Sequence, residues 1–399
     1  MNHQQKALIV ALALCIMLTY LLTTQNLLLA IFLIIIPSIL AGVIFFLRSP
    51  ILGLYLTIVW AFLGVGIKRY ILSESGSALG LGVDILLVAT WVVYFIKNFN
   101  VPFPVAKLRN AIIVFTLLWF GYNVFELINP EAPTFIGWFY AVRGVALYML
   151  LIVPLAFLLL DNKKEIKIMM MIWFGFSLLG VLWGMKQLYI GLDYAEKIWL
   201  SEPGNLSTHL LFGKLRVFSF YSDSGQFGAS MGHASIVALV LAIQTKGTWR
   251  IMAAISGLIF FYGLMISGTR GALAVPVVGA VAFLLLKRNW RLVIIGMTIM
   301  GAAYGTLKYT SIGSSIYEVQ RMRTALDPNN ASFQVRIENQ KKLIEYLKDH
   351  PFGGGVGSAG YWGLRFNPNS FLANLALDSW YVRLPLNKDF LVLLFFFPS

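Results

Sequence analysis

Charged residues are scarce in this chain. Asp, Glu, Lys and Arg make up 12% of its 399 residues, whereas a soluble domain carries about 25%. Hydrophobic residues make up 59% and aromatic residues 15%. This composition excludes a water-soluble fold. The aromatic content fits a membrane protein, because Trp and Tyr concentrate at the depth of the lipid headgroups.

Cysteine and the usual arrangements of metal ligands are also lacking. Cys15 is the single cysteine, so the chain cannot form an intrachain disulfide. No zinc-type cysteine spacing, His-x-x-x-His spacing or pair of carboxylates points to a bound metal. We therefore expect neither a metal nor another cofactor.

Acidic residues are outnumbered by basic ones, 17 against 31, which gives a net charge of +14. In a soluble protein this excess would suggest nucleic acid as a partner. Here most Lys and Arg lie in short loops between apolar segments, where they set the orientation of membrane helices and meet anionic lipids. We expect membrane lipids as partners and no nucleic acid.

Long apolar segments dominate the sequence. A spanning helix needs about 20 mostly apolar residues, and eleven segments approach that length. They predict an all-α integral membrane protein with about 11–12 transmembrane helices. The segments lie near 7–23, 27–47, 50–66, 82–97, 110–128, 143–160, 166–190, 227–244, 251–267, 271–286 and 290–308.

The loops between these segments predict the topology. If Lys6 is cytoplasmic, alternation places every short loop rich in Lys and Arg on the cytoplasmic side, as the positive-inside rule requires. These loops contain Arg48, Lys97 to Arg109, Lys163 to Lys167, Lys246 to Arg250, and Lys287 to Arg291. We therefore expect a multi-pass protein with a cytoplasmic N-terminus.

The chain divides into three parts. Residues 1–308 form the predicted helix bundle, which includes an outer loop at 191–226. Residues 309–378 form a larger outer loop, in which Ser332–His350 has the spacing of an amphipathic helix, with Phe333, Ile337, Ile344 and Leu347 as its apolar stripe. Residues 379–399 contain an apolar run of only eight residues, which is too short to cross a bilayer. We expect this last segment to be truncated or altered.

Several arginines are predicted to lie on the side opposite the cytoplasm, which we call the outer side, and there they run against the positive-inside rule. A guanidinium group offers a planar fork of donors that fits phosphate, and it keeps its charge. Several such groups at one membrane face predict a seat for a diphosphate. Each single arginine can equally bind a headgroup or pair with a carboxylate. The outer arginines are Arg143, which we expect to open the sixth helix, Arg216, Arg270, Arg321, Arg323 and Arg336.

Three other outer residues suggest chemistry. Asp223 and Asp378 are the most suggestive carboxylates on that side. His350 is able to act as an acid or base near pH 7, although its place at a helix end also fits a capping role.

The residues from Gly355 to Gly360 match the pattern G-x-G-x-x-G. A dinucleotide site requires a strand before this pattern, whereas here a helix and His350-Pro351 precede it. We expect a turn that re-enters the helix bundle or closes over it.

Three stretches resemble the O-antigen ligase and polymerase family. They are residues 216–228 with Arg216, the turn Ser267-Gly268-Thr269-Arg270-Gly271-Ala272, and Arg336 followed by His350-Pro351-Phe352-Gly353-Gly354-Gly355-Val356-Gly357. The arrangement of many helices with one large late periplasmic loop is similar too.

The resemblance implies an enzyme of the bacterial inner membrane that transfers or polymerises a glycan at the periplasmic face. The donor would be a glycan on undecaprenyl diphosphate, and the acceptor a sugar hydroxyl of a glycan or of the lipid A core. By this resemblance Arg216 and Arg270 are catalytic and act on the diphosphate without a metal. Substrate-binding roles fall to Arg143, Arg321, Arg336, His350 and Asp223.

One stretch departs from the family. Many members have a His-Asn pair after the glycine block, whereas this chain reads Asp378-Ser379-Trp380-Tyr381. Asp378 is able to accept the proton of the acceptor hydroxyl, so we assign it a catalytic role. The sequence does not separate a ligase from a polymerase. The alternative is a multi-helix transporter or flippase for a glycolipid or an anionic substrate, although neither internal repeats nor midplane charges are evident.

Overall fold

The structure is a computed structural model. It describes residues 42–70, 80–129, 132, 134–202, 204–211, 213–287, 290–314, 317–323, 331–350 and 353–375. The first predicted span, most of the second, Asp378 and the segment 379–399 lie outside these residues.

Helices make up nearly all regular structure in the described part, which confirms the all-α prediction. The strands there are β1 (Leu210–Leu211) and β2 (Lys214–Leu215), a two-residue antiparallel pair. The helices are α1 (Pro50–Tyr70), α2 (Gly82–Lys97), α3 (Val105–Leu108), α4 (Ala111–Phe125), α5 (Phe135–Val142), α6 (Tyr148–Leu159), α7 (Lys163–Met185), α8 (Tyr194–Ser201), α9 (Asn205–His209), α10 (Ser224–Gln244), α11 (Thr248–Ile266), α12 (Ala274–Lys287), α13 (Trp290–Tyr309), α14 (Tyr317–Arg323), α15 (Ala331–Asp349), α16 (Gly360–Phe366) and α17 (Phe371–Asn374).

Seven helices of the described part are long and apolar enough to cross a membrane. Each coincides with a predicted segment, and α2 and α13 stand at two further predicted positions. The integral membrane fold is thereby confirmed. The seven candidate spans are Pro50–Tyr70, Ala111–Ile128, Phe135–Leu159, Lys163–Ile190, Ser224–Gln244, Thr248–Ile266 and Arg270–Lys287.

The sixth predicted span begins earlier than expected. The side chain of Thr134 accepts a hydrogen bond from the backbone N of Gly137 at 3.2 Å and caps the helix there. Arg143 therefore does not open the helix, and this prediction was wrong. It lies at a π-helical turn between α5 and α6, inside a continuous span from Phe135 to Leu159.

Loops assigned to the same membrane side contact each other. Lys97 Nζ donates to the carbonyl of Arg48 at 2.7 Å. Lys107 pairs with Asp161 in a neighbouring connection. Lys167 lies over the ring of Trp249, 4.1 Å from its centroid. These contacts agree with the predicted alternation of the helices, because all of these residues belong to the lysine-rich side.

The core of the bundle forms where α10 and α11 pack closely against each other and against α7. Small residues allow the close approach, as is typical of membrane helices. Ser235 Oγ donates to the carbonyl of Gly257 at 2.9 Å across the pair. A Cβ at Gly263 would stand 2.7 Å from Val181 and 3.0 Å from Met231. The interface therefore has no room for a larger residue at Gly263.

The amphipathic helix is present as α15, but its buried face differs from the predicted stripe. Leu343 is buried against Leu372 and Leu375, whereas Ile344 is 58% exposed. The reason is that α17 and Leu375, which follows it, cover the face centred on Leu343, which periodicity alone does not reveal. Helix α15 begins at Ala331, one residue before the predicted start at Ser332.

The glycine block forms a turn between α15 and α16 that closes on the bundle. Gly355 and Gly357 have φ of 75° and 93°, which favour glycine. A Cβ on Gly357 would stand 2.8 Å from the carbonyl oxygen of Gly137. Asn129 Nδ2 also donates to the carbonyl of Gly353 at 3.3 Å. The block thus fastens the late outer segment to the start of α5.

We predict that Gly263→Ala lowers the free energy of unfolding by about 1–3 kcal/mol, because the added methyl overpacks the α10–α11 interface. The matched control is Gly121→Ala on α4, where an added Cβ meets nothing within 4 Å. This control should be neutral or slightly stabilising, since alanine favours helix. Unfolding of both variants is compared in detergent. Equal stability of the two would contradict the packing.

Candidate functional site

Arginines from separate parts of the chain meet at the turn Ser267–Gly271. Arg216 Nη2 donates to Thr269 Oγ1 at 2.9 Å, and Arg321 Nε donates to the carbonyl of Gly268 at 2.7 Å. Arg270 follows in the same turn, and the charges of Arg321 and Arg336 are close enough to act on it. We call these four residues, Arg216, Arg270, Arg321 and Arg336, the arginine cluster.

The turn itself is shaped by local hydrogen bonds. Ser267 Oγ donates to the carbonyl of Leu264 at 2.7 Å and accepts from the backbone N of Thr269 at 3.2 Å. Gly268 has a φ of 59°, in the region that favours glycine. A Cβ there would approach Arg321 to 3.3 Å and Arg216 to 3.5 Å. Glycine at this position therefore lets two arginine side chains lie against the turn.

Thr269 connects the turn with the start of α10. Its Oγ1 donates to the carbonyl of Ser224 at 2.9 Å while it accepts from Arg216. One hydroxyl thus ties the helix start, the turn and one guanidinium group together.

Arg216 is also held from the other side by the outer loop. Its Nη1 donates to the carbonyl of Thr208 at 2.8 Å, and its backbone N donates to the carbonyl of His209 at 2.7 Å. The β1–β2 pair folds the chain back so that Arg216 returns to the end of α9. The guanidinium group of Arg216 therefore has a fixed orientation within the arginine cluster.

His209 is a structural residue beneath Arg216. It is buried, its Nδ1 lies 2.9 Å from the carbonyl of Asn205, and its Nε2 accepts from the backbone N of Ser224 at 3.3 Å. Burial lowers the pKa of His209, and the charge of Arg216 acts in the same direction. The neutral ring therefore joins α9 to the start of α10, a role that the sequence did not suggest.

The cluster can bind a polyanion by charge and by geometry. Arg216, Arg270 and Arg321 are half-buried and Arg336 is exposed. Their forks offer several donors where solvent screening is reduced, and donors of this kind suit phosphate oxygens. Like charges held close together repel each other, so an anion among them would relieve the repulsion.

Arg143 has different surroundings from the cluster. It forms an ion pair with Asp84, with both side chains largely buried, and it also donates to Tyr148 Oη at 3.2 Å. Because Asp84 offsets its charge, we do not include Arg143 in the anion site. Its substrate-binding role stays a prediction.

The remaining predicted residues serve visible structural roles. Asp223 caps α10 by accepting from the backbone N of Gln226 at 2.8 Å. His350 follows the end of α15, and its ring stacks on Tyr346 with centroids 4.1 Å apart. Catalytic or binding roles for both stay predictions. Asp378 lies outside the described residues.

Sequence reasoning missed Arg69, which is only 8% exposed. It lies in the last turn of α1 and donates to the carbonyl of Ser219 at 2.6 Å. A signal was available, because Arg69 also opposes the orientation bias that marked the other outer arginines. Its neighbour Lys68 and its place at a helix end made it resemble a solvated flank.

Within the described ranges, no group of three or more His, Cys, Asp and Glu side chains is able to hold a metal ion.

Comparisons with known proteins agree with the motifs. A family model described as O-antigen ligase matches residues 255–382. This range includes Arg270, Arg321 and Arg336, whereas Arg216 lies outside it. A curated protein of Salmonella muenchen, described as O-antigen polymerase, is 23% identical over 196 residues. The match covers 46% of this chain and 47% of that protein, so it spans about half the length of the relative. No solved structure matches the chain.

We predict that stability falls as the pH drops from about 7.5 to 5. The unfolded chain takes up a proton at His209 near pH 6.5, before the buried ring does, so protons favour the unfolded state. The contribution of His209 approaches about 1.4 kcal/mol per pH unit at most. Thermal unfolding in detergent at several pH values measures this dependence.

Two variants test the assignment of this pH dependence. His209→Gln should flatten it, whereas the control His233→Gln, at an exposed position, should keep the slope of the wild type. Equal slopes for His209→Gln and the wild type would contradict the assignment to His209.

Proposed function

We propose, from the premise that this chain resembles the O-antigen ligase and polymerase family, that it joins a glycan carried on undecaprenyl diphosphate to a sugar acceptor. In this proposal the arginine cluster holds the diphosphate. The observation that carries the proposal is the convergence of Arg216, Arg270 and Arg321 on one turn at a single end of the helix bundle.

The reaction needs stabilisation of its leaving group. The acceptor hydroxyl attacks the anomeric carbon of the donor sugar, a new glycosidic bond forms, and the bond from that carbon to the phosphate oxygen breaks. Negative charge grows on the departing lipid diphosphate. Fixed guanidinium groups offset this charge without reorganising, and this kind of electrostatic help is a large part of enzymatic catalysis. No step of this scheme calls for a metal.

The proton of the acceptor hydroxyl must pass to a base. Asp378 is our candidate from the sequence, and His350 is the second. His350 is attached to α15, the helix that also carries Arg336. The difference of 14 positions corresponds to about 21 Å along a helix, so Arg336 and His350 would act on different parts of the substrate.

We propose that the cluster faces the periplasm and that the protein lies in the bacterial inner membrane with a cytoplasmic N-terminus. Contacts among the lysine-rich loops support this orientation, because such loops stay in the cytoplasm. The acceptor is either a growing glycan chain or the lipid A core. These two acceptors distinguish a polymerase from a ligase.

We predict that Arg270→Ala and Arg216→Ala each reduce glycan transfer by about 100-fold or more, since each removes a charged donor to the leaving group. Arg270→Lys should restore only a small part, because an ammonium group does not reproduce the planar fork. The measurement is a gel of surface polysaccharide from cells that depend on this chain, with immunoblots of membrane protein levels.

The matched control is Arg109→Ala, an exposed arginine of the lysine-rich side, which should leave the polysaccharide unchanged. The pattern also separates the acceptors: loss of all ladder from the lipid core indicates a ligase, whereas caps of a single repeat indicate a polymerase. Full-length polysaccharide from both alanine variants at normal protein levels would contradict the proposed function and favour a transporter.

A further inference from the structure

Ser219 adopts a backbone conformation that a residue with a side chain rarely takes. Its φ is 53°, and it is the one non-glycine residue with positive φ in the described part of the chain. The residue is fully buried. Such strain persists only where surrounding contacts enforce it, and it concentrates at functional sites.

The side chain of Ser219 donates to the carbonyl of Gly180 at 2.7 Å, and two other side chains hold its backbone. Arg69 Nη1 donates to its carbonyl at 2.6 Å, and Arg69 Nη2 donates to the carbonyl of Tyr221. Gln187 binds both backbone polar groups of Ser219. Its Nε2 donates to the carbonyl of Ser219 at 3.1 Å, and its Oε1 accepts from the backbone N of Ser219 at 2.8 Å. We call Arg69 and Gln187 the backbone clamp.

The clamp residues are themselves fixed. The guanidinium of Arg69 lies against the rings of Trp199 and Phe218, at 4.3 and 4.6 Å from their centroids. Gln187 Nε2 donates to Glu196 at 2.7 Å. Glu196 is almost fully buried and pairs with Lys186 at 2.7 Å. A rigid base therefore supports the strained backbone.

The clamped segment leads directly to the arginine cluster. Arg216 lies three residues before Ser219, and the buried residues Val217 and Phe218 fill the interval. After the clamp, Asp223 caps α10, and Ser224 accepts from the same Thr269 that binds Arg216. The direction of the Arg216 side chain thus depends on a chain path that is fixed at both ends.

We propose that Arg69 and Gln187 are positioning residues that hold Ser219 in its left-handed conformation and thereby aim Arg216 at the diphosphate. The effect on transfer rests on the proposed function, whereas the effect on the backbone does not. Arg69 has no contact with substrate in this proposal, so it acts through the segment from Arg216 to Asp223.

The test compares full-length wild type, Arg69→Gln, Ser219→Gly and the double variant, with Arg109→Gln as the control. Hydrogen exchange of the detergent-solubilised protein reports on residues 216–223, and a transfer assay with undecaprenyl-diphosphate-linked glycan gives kcat and KM. Arg69→Gln should speed exchange in 216–223 and lower kcat/KM by about 100-fold, as expected for a misplaced group. Exchange in α11 and the control variant should match the wild type.

The double variant provides the decisive comparison. Glycine adopts positive φ without strain, so Arg69→Gln with Ser219→Gly should recover about tenfold of the lost kcat/KM. Ser219→Gly alone removes the strain and also the hydrogen bond from Ser219 Oγ to the carbonyl of Gly180, so it is the reference against which the double variant is compared. A merely structural role of Arg69 would give no such recovery, because the second change adds no contact.

Several outcomes would overturn the inference. If Arg69→Gln leaves the exchange of residues 216–223 unchanged, the backbone clamp is excluded. If it speeds exchange equally throughout α10 and α11, Arg69 only contributes to the overall stability of the protein. Local loosening with normal kcat/KM, or no recovery in the double variant, excludes the link to Arg216. If the wild type itself transfers no glycan, the proposed function fails, and the exchange data alone then decide whether the clamp exists.

Discussion

The structure depends on one arrangement of charge, in which four guanidinium groups share the end of a membrane bundle. Charges are rare in this chain and costly to bring together. Arg216 and Arg321 are nevertheless held at the turn of residues 267–271 by a hydroxyl and a carbonyl group. These two contacts orient the guanidinium groups toward the turn. The proposed diphosphate site rests on this orientation.

Much of the fold could be predicted from the sequence because membrane helices follow a strong rule of length and polarity. Every described span coincides with a predicted segment, although the sixth begins eight residues earlier than predicted. The arginine cluster was predictable in part, since outer arginines break the orientation bias. Their convergence was not predictable, because Arg216, Arg270 and Arg321 are separated by long stretches of chain, and only tertiary packing brings them to one turn.

The failures have physical causes. Arg143 was misplaced because the apolar residues from Phe135 to Val142 belong to the same helix, which Thr134 caps. The stripe on α15 was misread because the choice between Leu343 and Ile344 depends on the docking of α17. The contacts of Arg69 were not predictable, because its partners are carbonyl groups of a distant segment. No sequence pattern records such contacts.

The most direct test of the account is a cryo-electron microscopy structure of the full chain in lipid nanodiscs with undecaprenyl diphosphate bound. The account predicts density for the diphosphate at the turn of residues 267–271, within hydrogen-bond distance of Arg270 and of at least two other members of the cluster. Diphosphate bound at another part of the bundle, with the four arginines contacting only protein, would contradict it.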